Sequence, residues 1–136
     1  MRIIYALAAA LFVLPAACGD EFQEQDNPCE GVPCNEDPWC CPSGQTCAPD
    51  TPNSFACLNA SVGQQGDSCH NYIGAPECGE LLFCMQTAGA PEGVCTWFCD
   101  NTNPDRACPN LHHCFMGVDV DTAGKVNVCD PNPPPS

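Results

Sequence analysis

Fifteen cysteines in 136 residues constrain this chain more than any other feature of its sequence. Leucine, isoleucine, valine and phenylalanine account for only 17 of the 119 residues after Ala17, roughly 14%, which is too little for a conventional core. Small chains with so little apolar material are held by disulfides or metals, or they stay unfolded. The composition therefore predicts a small, disulfide-rich, loop-dominated fold with short β-hairpins and little helix outside the N-terminal segment.

The charge of the chain excludes one large class of partners. It carries 17 acidic residues against three basic ones, for a formal net charge of -14. A nucleic-acid-binding protein needs clustered lysine or arginine to displace counterions from phosphates. Binding to DNA or RNA is therefore not expected.

The N-terminal segment has the pattern of a secretory signal peptide. Arg2 supplies a positive start, residues 3–14 form an apolar run, and small residues follow up to Ala17. A helix of 12 residues spans roughly 18 Å, well short of the ~30 Å hydrocarbon layer, so a permanent membrane span is not expected. We predict a signal peptide at residues 1–17.

The residues around the predicted cleavage site suggest a lipid anchor. Leu14-Pro15-Ala16-Ala17-Cys18 resembles the lipobox of bacterial lipoproteins, although Pro15 stands where that family usually has leucine. The resemblance implies that Cys18 is lipidated and becomes the mature N-terminus, and that Gly19 favours sorting to the outer membrane. Setting Cys18 aside leaves 14 cysteines, an even set that can close as seven disulfides. The alternative is cleavage after Ala17 or Gly19 and secretion without lipid.

Composition divides the remaining chain into five parts. We predict an acidic tether at 18–28, a six-cysteine first unit at 29–57, a linker at 58–68, two four-cysteine repeats at 69–129, and a proline-rich tail at 130–136. The tether could hold the body roughly 30 Å above a membrane. The two repeats, the second and third units, are separated only by residues 96–98 and are expected to pack as one body.

The cysteine spacing repeats along the chain. Cys-x5-Cys-x9–14-Cys occurs three times, which indicates internal repetition. In the second and third units we predict that the first cysteine pairs with the third and the second with the fourth. These pairs are Cys69–Cys84, Cys78–Cys95, Cys99–Cys114 and Cys108–Cys129.

Two segments carry recognisable strand patterns. Alternating valines on both sides of the turn at 121–124 predict a β-hairpin over 117–128. The apolar run at 80–85 fits either a buried strand or one helical turn.

The first unit resembles the inhibitor cystine knot, or knottin, of small toxins and protease inhibitors. Its cysteines are Cys29, Cys34, Cys40, Cys41, Cys47 and Cys57. The resemblance implies the pairs Cys29–Cys41, Cys34–Cys47 and Cys40–Cys57, and a protease-binding loop at 42–46 or 48–56. A loop bundle resembling epidermal-growth-factor modules is the alternative, because six cysteines allow 15 connectivities.

Metal sites and catalysis receive little support from the sequence. His70, His112 and His113 adjoin cysteines, but no Cys-x2-Cys pair is present, and export favours disulfides over zinc thiolates. Asp119, Asp121 and Asp130 occupy EF-hand positions 1, 3 and 12, which makes them a weak calcium candidate without flanking helices. No nucleophile motif occurs. We predict neither enzyme activity nor a cofactor.

Large apolar side chains cluster near cysteines, where they can cover disulfides. They are Trp39, Phe55, Leu82, Phe83, Trp97, Phe98 and Phe115. We expect Trp97 and Phe98 to serve in packing, with recognition as the alternative.

Together these features predict a lipid-anchored, extracytoplasmic, cysteine-rich protein with a binding or surface-structural role. It resembles cysteine-rich surface lipoproteins of Gram-negative bacteria, attached to the outer membrane or cell surface. Its expected partners are the membrane, through the anchor, and a protein or surface ligand. The alternatives are a knottin-like protease inhibitor and a secreted module of the epidermal-growth-factor type without lipid.

Overall fold

A computed structural model of the chain describes residues 29–109 and 112–132. Within these ranges there are seven strands, two three-residue 3-10 helices and no α-helix, which confirms the predicted fold class. No helix among the described residues is long and apolar enough to cross a membrane. The predicted signal peptide, the whole of the acidic tether with Cys18, and residues 133–136 of the tail lie outside the described residues.

The strands form three small antiparallel sheets. In the first unit β1 pairs with β2, in the second β5 lies between β3 and β4, and in the third β6 pairs with β7. The apolar run at 80–85 is therefore a strand, and the hairpin predicted over 117–128 is present. The bounds are β1 Gln45–Thr51, β2 Ser54–Asn59, β3 Ser68–Cys69, β4 Leu82–Met85, β5 Gly93–Trp97, β6 Cys114–Val120 and β7 Gly124–Cys129.

All three units share one disulfide arrangement. In each, a cysteine on the first hairpin strand faces a cysteine on the second, but the two are not bonded to each other. Both bond backwards to cysteines that precede the hairpin in the chain, so the order is first to third and second to fourth. The four pairings predicted for the second and third units are confirmed. The facing pairs are Cys47 and Cys57, Cys84 and Cys95, and Cys114 and Cys129.

The first unit adds one disulfide to this arrangement and corrects the knottin pairing. Cys34 bonds to Cys47 as the resemblance implies, but Cys40 bonds to Cys29 and Cys41 bonds to Cys57. Cys40 ends the helix Pro38–Cys40, whereas Cys41 follows it with extended backbone angles. The backbone changes from helical to extended between the two cysteines, so their side chains leave the chain in different directions. Cys41 accordingly packs against the core, and Cys40 is left to the N-terminal loop.

The main core crosses all three units. Phe83 of β4 packs against Phe98 with ring centroids 5.8 Å apart and against Phe55 of β2 at 6.5 Å. Val126 and Val128 of β7 are fully buried in the same cluster. The second and third units pack as one body, as predicted, and the first unit joins them through this shared core.

Two buried hydroxyls bond neighbouring units to each other. Thr46 donates to the carbonyl oxygen of Leu82 at 2.7 Å, and Thr96 donates to the carbonyl oxygen of Cys129 at 2.7 Å. These contacts connect the first unit to the second and the second to the third.

The segment 58–68, predicted to be a linker, is part of the folded body. Its first two residues complete β2, and Ser61 then donates its backbone N–H to the carbonyl of Cys78 at 2.9 Å. Gly66 donates to the carbonyl of Cys95 at 2.9 Å. The polar composition suggested a hinge, but these backbone groups are used in hydrogen bonds to the second unit.

The expected covering of disulfides by large side chains holds for most members of the set. Leu82, Phe83 and Phe98 are buried, and Trp39, Phe55 and Trp97 are partly buried against the two core clusters. Phe115 is the exception, with 42% of its surface exposed next to Met116, which is 55% exposed.

Candidate functional site

Both tryptophans of the chain lie on the wall of one cavity of about 350 Å³. We call it the two-tryptophan cavity. Its walls come from all three units, and they combine apolar surfaces with a small number of polar groups at the edge. The residues used below are Trp39, Leu81, Trp97, Phe98, Asp105 and Gln65.

Trp39 is fixed by a short helix and by an arginine. Asp37 caps the helix Pro38–Cys40 by accepting the backbone N–H of Trp39 at 3.2 Å. The same carboxylate accepts a hydrogen bond from the Arg106 guanidinium at 3.1 Å. That guanidinium lies 4.4 Å from the centre of the Trp39 ring, in cation–π geometry. The first and third units thus meet at this side chain.

Trp97 is held at the end of β5 by a side-chain hydrogen bond. Its indole N–H donates to Oε1 of Gln65 at 2.8 Å. Gln65 lies in a tight turn in which Asp67 accepts the backbone N–H of Gln64 at 2.7 Å. Gly66, with φ of +91°, gives the turn a conformation that other residues adopt only with strain. This turn sets the orientation of the indole.

Leu81 contributes a strained backbone to the cavity wall. Its φ of 57° is in the left-handed region, which is uncommon for a bulky side chain. Its carbonyl accepts the backbone N–H of Phe98 at 3.3 Å, which bonds Leu81 to a second residue of the cavity lining. Strained residues of this kind are enriched at binding sites.

Asp105 stands in the second 3-10 helix, Pro104–Arg106, inside a self-bonded loop. Asp100 closes this loop by accepting bonds from the Thr102 hydroxyl at 2.6 Å and its backbone N–H at 2.8 Å. These two hydrogen bonds, with a smaller contribution from the charge of Arg106, lower the pKa of Asp100 below its usual value of 3.8. The loop is therefore organised by an ionised carboxylate.

Disulfides fix the three walls of the cavity. Cys40 adjoins Trp39, Cys95 lies two residues before Trp97, and Cys108 stands between two residues of the lining. Each cysteine bonds within its own unit, to Cys29, Cys78 and Cys129 respectively. The cavity therefore depends on covalent cross-links in each unit and on non-covalent packing between units.

Two of the three histidines considered for zinc, His70 and His112, are engaged in other contacts, and His113 is exposed. His70 lies 3.2 Å from a Glu77 carboxylate oxygen and stacks on Tyr72 at 5.1 Å, while His112 bonds to the carbonyl of Asp130. In the described part of the chain, the sulfur groupings close enough to hold a metal consist of cysteines that are in disulfides.

The hairpin geometry contradicts the weak calcium candidate formed by Asp119, Asp121 and Asp130. Asp119 and Asp121 lie near the turn, but Asp130 follows β7 at the far end, beyond the facing pair Cys114 and Cys129. Six strand residues cover roughly 20 Å, so the three carboxylates do not converge. Asp119 instead pairs with Lys125 at 2.9 Å, and Asp130 accepts the backbone N–H of Asn132.

The loops considered for protease inhibition differ in exposure. Residues 42–44 are exposed, but Thr46 is buried inside β1. Residues 48–56 are mostly strand, with exposure concentrated in the turn at 51–53.

Comparison with family models, curated proteins and solved structures found no match to this chain. The site must therefore be interpreted from its own residues. The sequence predicted packing for Trp97, with recognition as the alternative, and placed Trp39 beside a cysteine, but it missed Leu81, Gln65 and Asp105.

Proposed function

We propose that this protein is a lipid-anchored, extracytoplasmic binding protein and that the two-tryptophan cavity is its ligand site. The observation that carries the proposal is the presence of both tryptophans in the lining of one cavity. A volume of about 350 Å³ is at the small end of ligand pockets. A small molecule, or one side chain or headgroup of a larger partner, is the matching occupant.

Seven disulfides in about a hundred residues are typical of proteins that function outside the reducing cytoplasm. Cysteine catalysis would require a free thiolate, and the fourteen described cysteines are all bonded. Binding is therefore a better interpretation than covalent catalysis.

The anchor is supported by the count of cysteines. Fourteen of the fifteen are bonded to one another, which leaves Cys18 as the one cysteine outside the bonded set. Cys18 is also the residue that the lipobox resemblance selects for acylation. Attachment there would display the cavity at the outer membrane or cell surface.

Mass spectrometry of the mature protein tests the anchor. We expect an N-terminal peptide beginning at Cys18 and carrying acyl chains, and loss of membrane association in Cys18→Ser. An unacylated N-terminus would leave the protein secreted. The intact mass should rise by two hydrogens per bridge on reduction, and a count other than seven would contradict the pairing.

Tryptophan emission tests the ligand site directly, because both fluorophores lie in it. Purified mature protein is titrated with choline, with the N-acetylglucosamine trimer and with a proline-rich hexapeptide. We expect saturable change with one of these probes, loss in Trp97→Ala, and retention in Phe115→Ala, which removes an exposed aromatic ring elsewhere. If none of the probes binds at millimolar concentration, a purely surface-structural role replaces the binding role.

A further inference from the structure

We infer that the two-tryptophan cavity selects an organic cation, with a quaternary ammonium group as the recognised chemistry. This inference rests on the proposed function and specifies its ligand. It follows from three features of the described residues: aromatic faces, an unpaired carboxylate at the edge, and the charge of the whole surface.

The aromatic side chains provide the first feature. Trp39 and Trp97, both partly buried, line the cavity, and the faces of aromatic rings attract cations, most strongly those of tryptophan. One face of Trp39 already holds a cation, because the Arg106 guanidinium lies 4.4 Å from its ring centre, so Trp97 is the indole without a cation of the described chain on it. A quaternary ammonium group has no N–H to donate, so aromatic faces can hold it without competing hydrogen bonds.

Asp105 provides the second feature. Its backbone N–H donates to the Asn103 side chain at 3.0 Å, which fixes the residue at the cavity edge. Among the described residues, its carboxylate has no ion pair or hydrogen-bond donor. The neighbouring Arg106, in contrast, is neutralised by Asp37 at 3.1 Å. Asp105 is exposed, and a bound cation would give its carboxylate an ion pair.

The surface charge provides the third feature. The described residues contain thirteen carboxylates and two basic residues, Arg106 and Lys125. Both are already in ion pairs, with Asp37 and Asp119 respectively. The resulting negative potential repels anions and raises the local concentration of cations. No unpaired lysine or arginine of the described chain competes for the cavity.

These features also separate a cation from the neutral alternatives. A sugar ring or a proline-rich segment can cover tryptophan faces equally well. Neither uses the carboxylate of Asp105 as a counter-charge, and neither gains from the surface potential. The cation is the occupant that satisfies all three features.

Choline and its neutral isostere 3,3-dimethylbutan-1-ol isolate the role of charge, because they share one shape. Binding to the mature protein is followed by tryptophan emission. We expect choline to bind about 5- to 30-fold more tightly than the isostere, the range that cation–π attraction supplies. Added salt should weaken choline binding and leave the isostere unaffected.

Two charge variants complete the test. Asp105→Asn should weaken choline binding about 3- to 10-fold and leave the isostere unchanged, since an exposed ion pair contributes modestly. Glu92→Gln removes the same charge from an exposed position that is not part of the cavity lining and should have little effect.

The outcomes distinguish this inference from the proposed function. Equal affinity for choline and its isostere, or binding of the sugar trimer or the hexapeptide alone, would overturn the cation selectivity and retain the cavity as a ligand site. Absence of binding by every probe would overturn both.

Discussion

Thr46 and Thr96 are among the least exposed residues of the protein, with 1% and 0% of their surface accessible. Each lies beside a bonded cysteine in a strand, and each hydroxyl donates to a backbone carbonyl of the neighbouring unit. A buried carbonyl without a donor is costly, so these hydroxyls matter more than their size suggests. Each threonine thus forms a hydrogen bond between two units that no disulfide connects.

Replacing either threonine by valine keeps the shape of the side chain and removes its hydrogen-bond donor. We expect Thr46→Val and Thr96→Val each to lower the free energy of unfolding by about 1–3 kcal/mol, measured by urea denaturation. Thr87→Val changes an exposed threonine with the same chemistry and should cost much less. Equal losses in all three variants would contradict the role of these hydrogen bonds.

Leu81 and Leu82 offer a matched pair that differs in backbone conformation. Leu81→Gly removes a backbone strain of about 1–2 kcal/mol, which offsets the loss of the side chain, so the free energy of unfolding should be nearly unchanged. Binding in the cavity should weaken. Leu82→Gly empties a buried core position with 4% exposure and should cost about 2–5 kcal/mol. Thermal unfolding of the two variants checks the contrast. A large stability loss in Leu81→Gly would show that the side chain, and not the backbone, governs this position.

At the scale of elements, the loop at 100–106 is organised by one ionised group. Asp100 accepts two hydrogen bonds from Thr102, and its own backbone N–H donates to the carbonyl of Arg106 at 3.0 Å. Because this loop carries Asp105, disorder in the loop would displace a residue that lines the two-tryptophan cavity.

The lowered pKa of Asp100 predicts an acid-dependent opening of this loop. The ionised form is favoured in the fold, so its stabilising effect is present above the ordinary value of 3.8 and is lost as pH falls through the lower folded value. Nuclear magnetic resonance of the Thr102 amide should show a transition below pH 3.8. Asp100→Asn should abolish that transition. A midpoint at or above the ordinary value would contradict the capping.

The Cys29–Cys40 bridge should act locally. It closes a loop of 11 residues, so removing it in Cys29→Ala/Cys40→Ala should cost about 3 kcal/mol by the chain-entropy relation. We expect Trp39 emission to change, measured in a Trp97→Phe background, while β1 and β2 remain paired. The control Cys41→Ala/Cys57→Ala removes a bridge that packs in the core, and should disrupt the hairpin itself. Equal damage to the hairpin in both variants would contradict a local role.

The sequence predicted the elements that depend on local sequence patterns. It did not predict the features that depend on packing between distant residues. Alternating valines specified the hairpin β6–β7, and equal spacing specified four disulfides. The partners of Cys40 and Cys41 depend on where one short helix ends, which spacing does not encode. The cavity depends on contacts between residues 32 to 69 positions apart, such as Trp97 with Gln65 and Arg106 with Asp37. No local pattern carries that information.

At the scale of the whole molecule, one core cluster contains side chains from all three units. The units should therefore unfold together, although each has its own bridges. We expect urea transitions followed by tryptophan emission and by the resonances of Val126 and Val128 to coincide. Two separated midpoints would show that the units are independent domains that only touch.

Every one of the seven bridges begins and ends within a single unit. A nick beside Val62, which is 93% exposed, would therefore yield two polypeptides with all cross-links intact. Non-covalent contacts alone would then keep these halves together: the shared core, the Thr46 hydroxyl, the Arg106–Asp37 ion pair and further hydrogen bonds. The cavity, with one tryptophan on each half, would then exist only while the two halves remain associated, so its lifetime would depend on dilution.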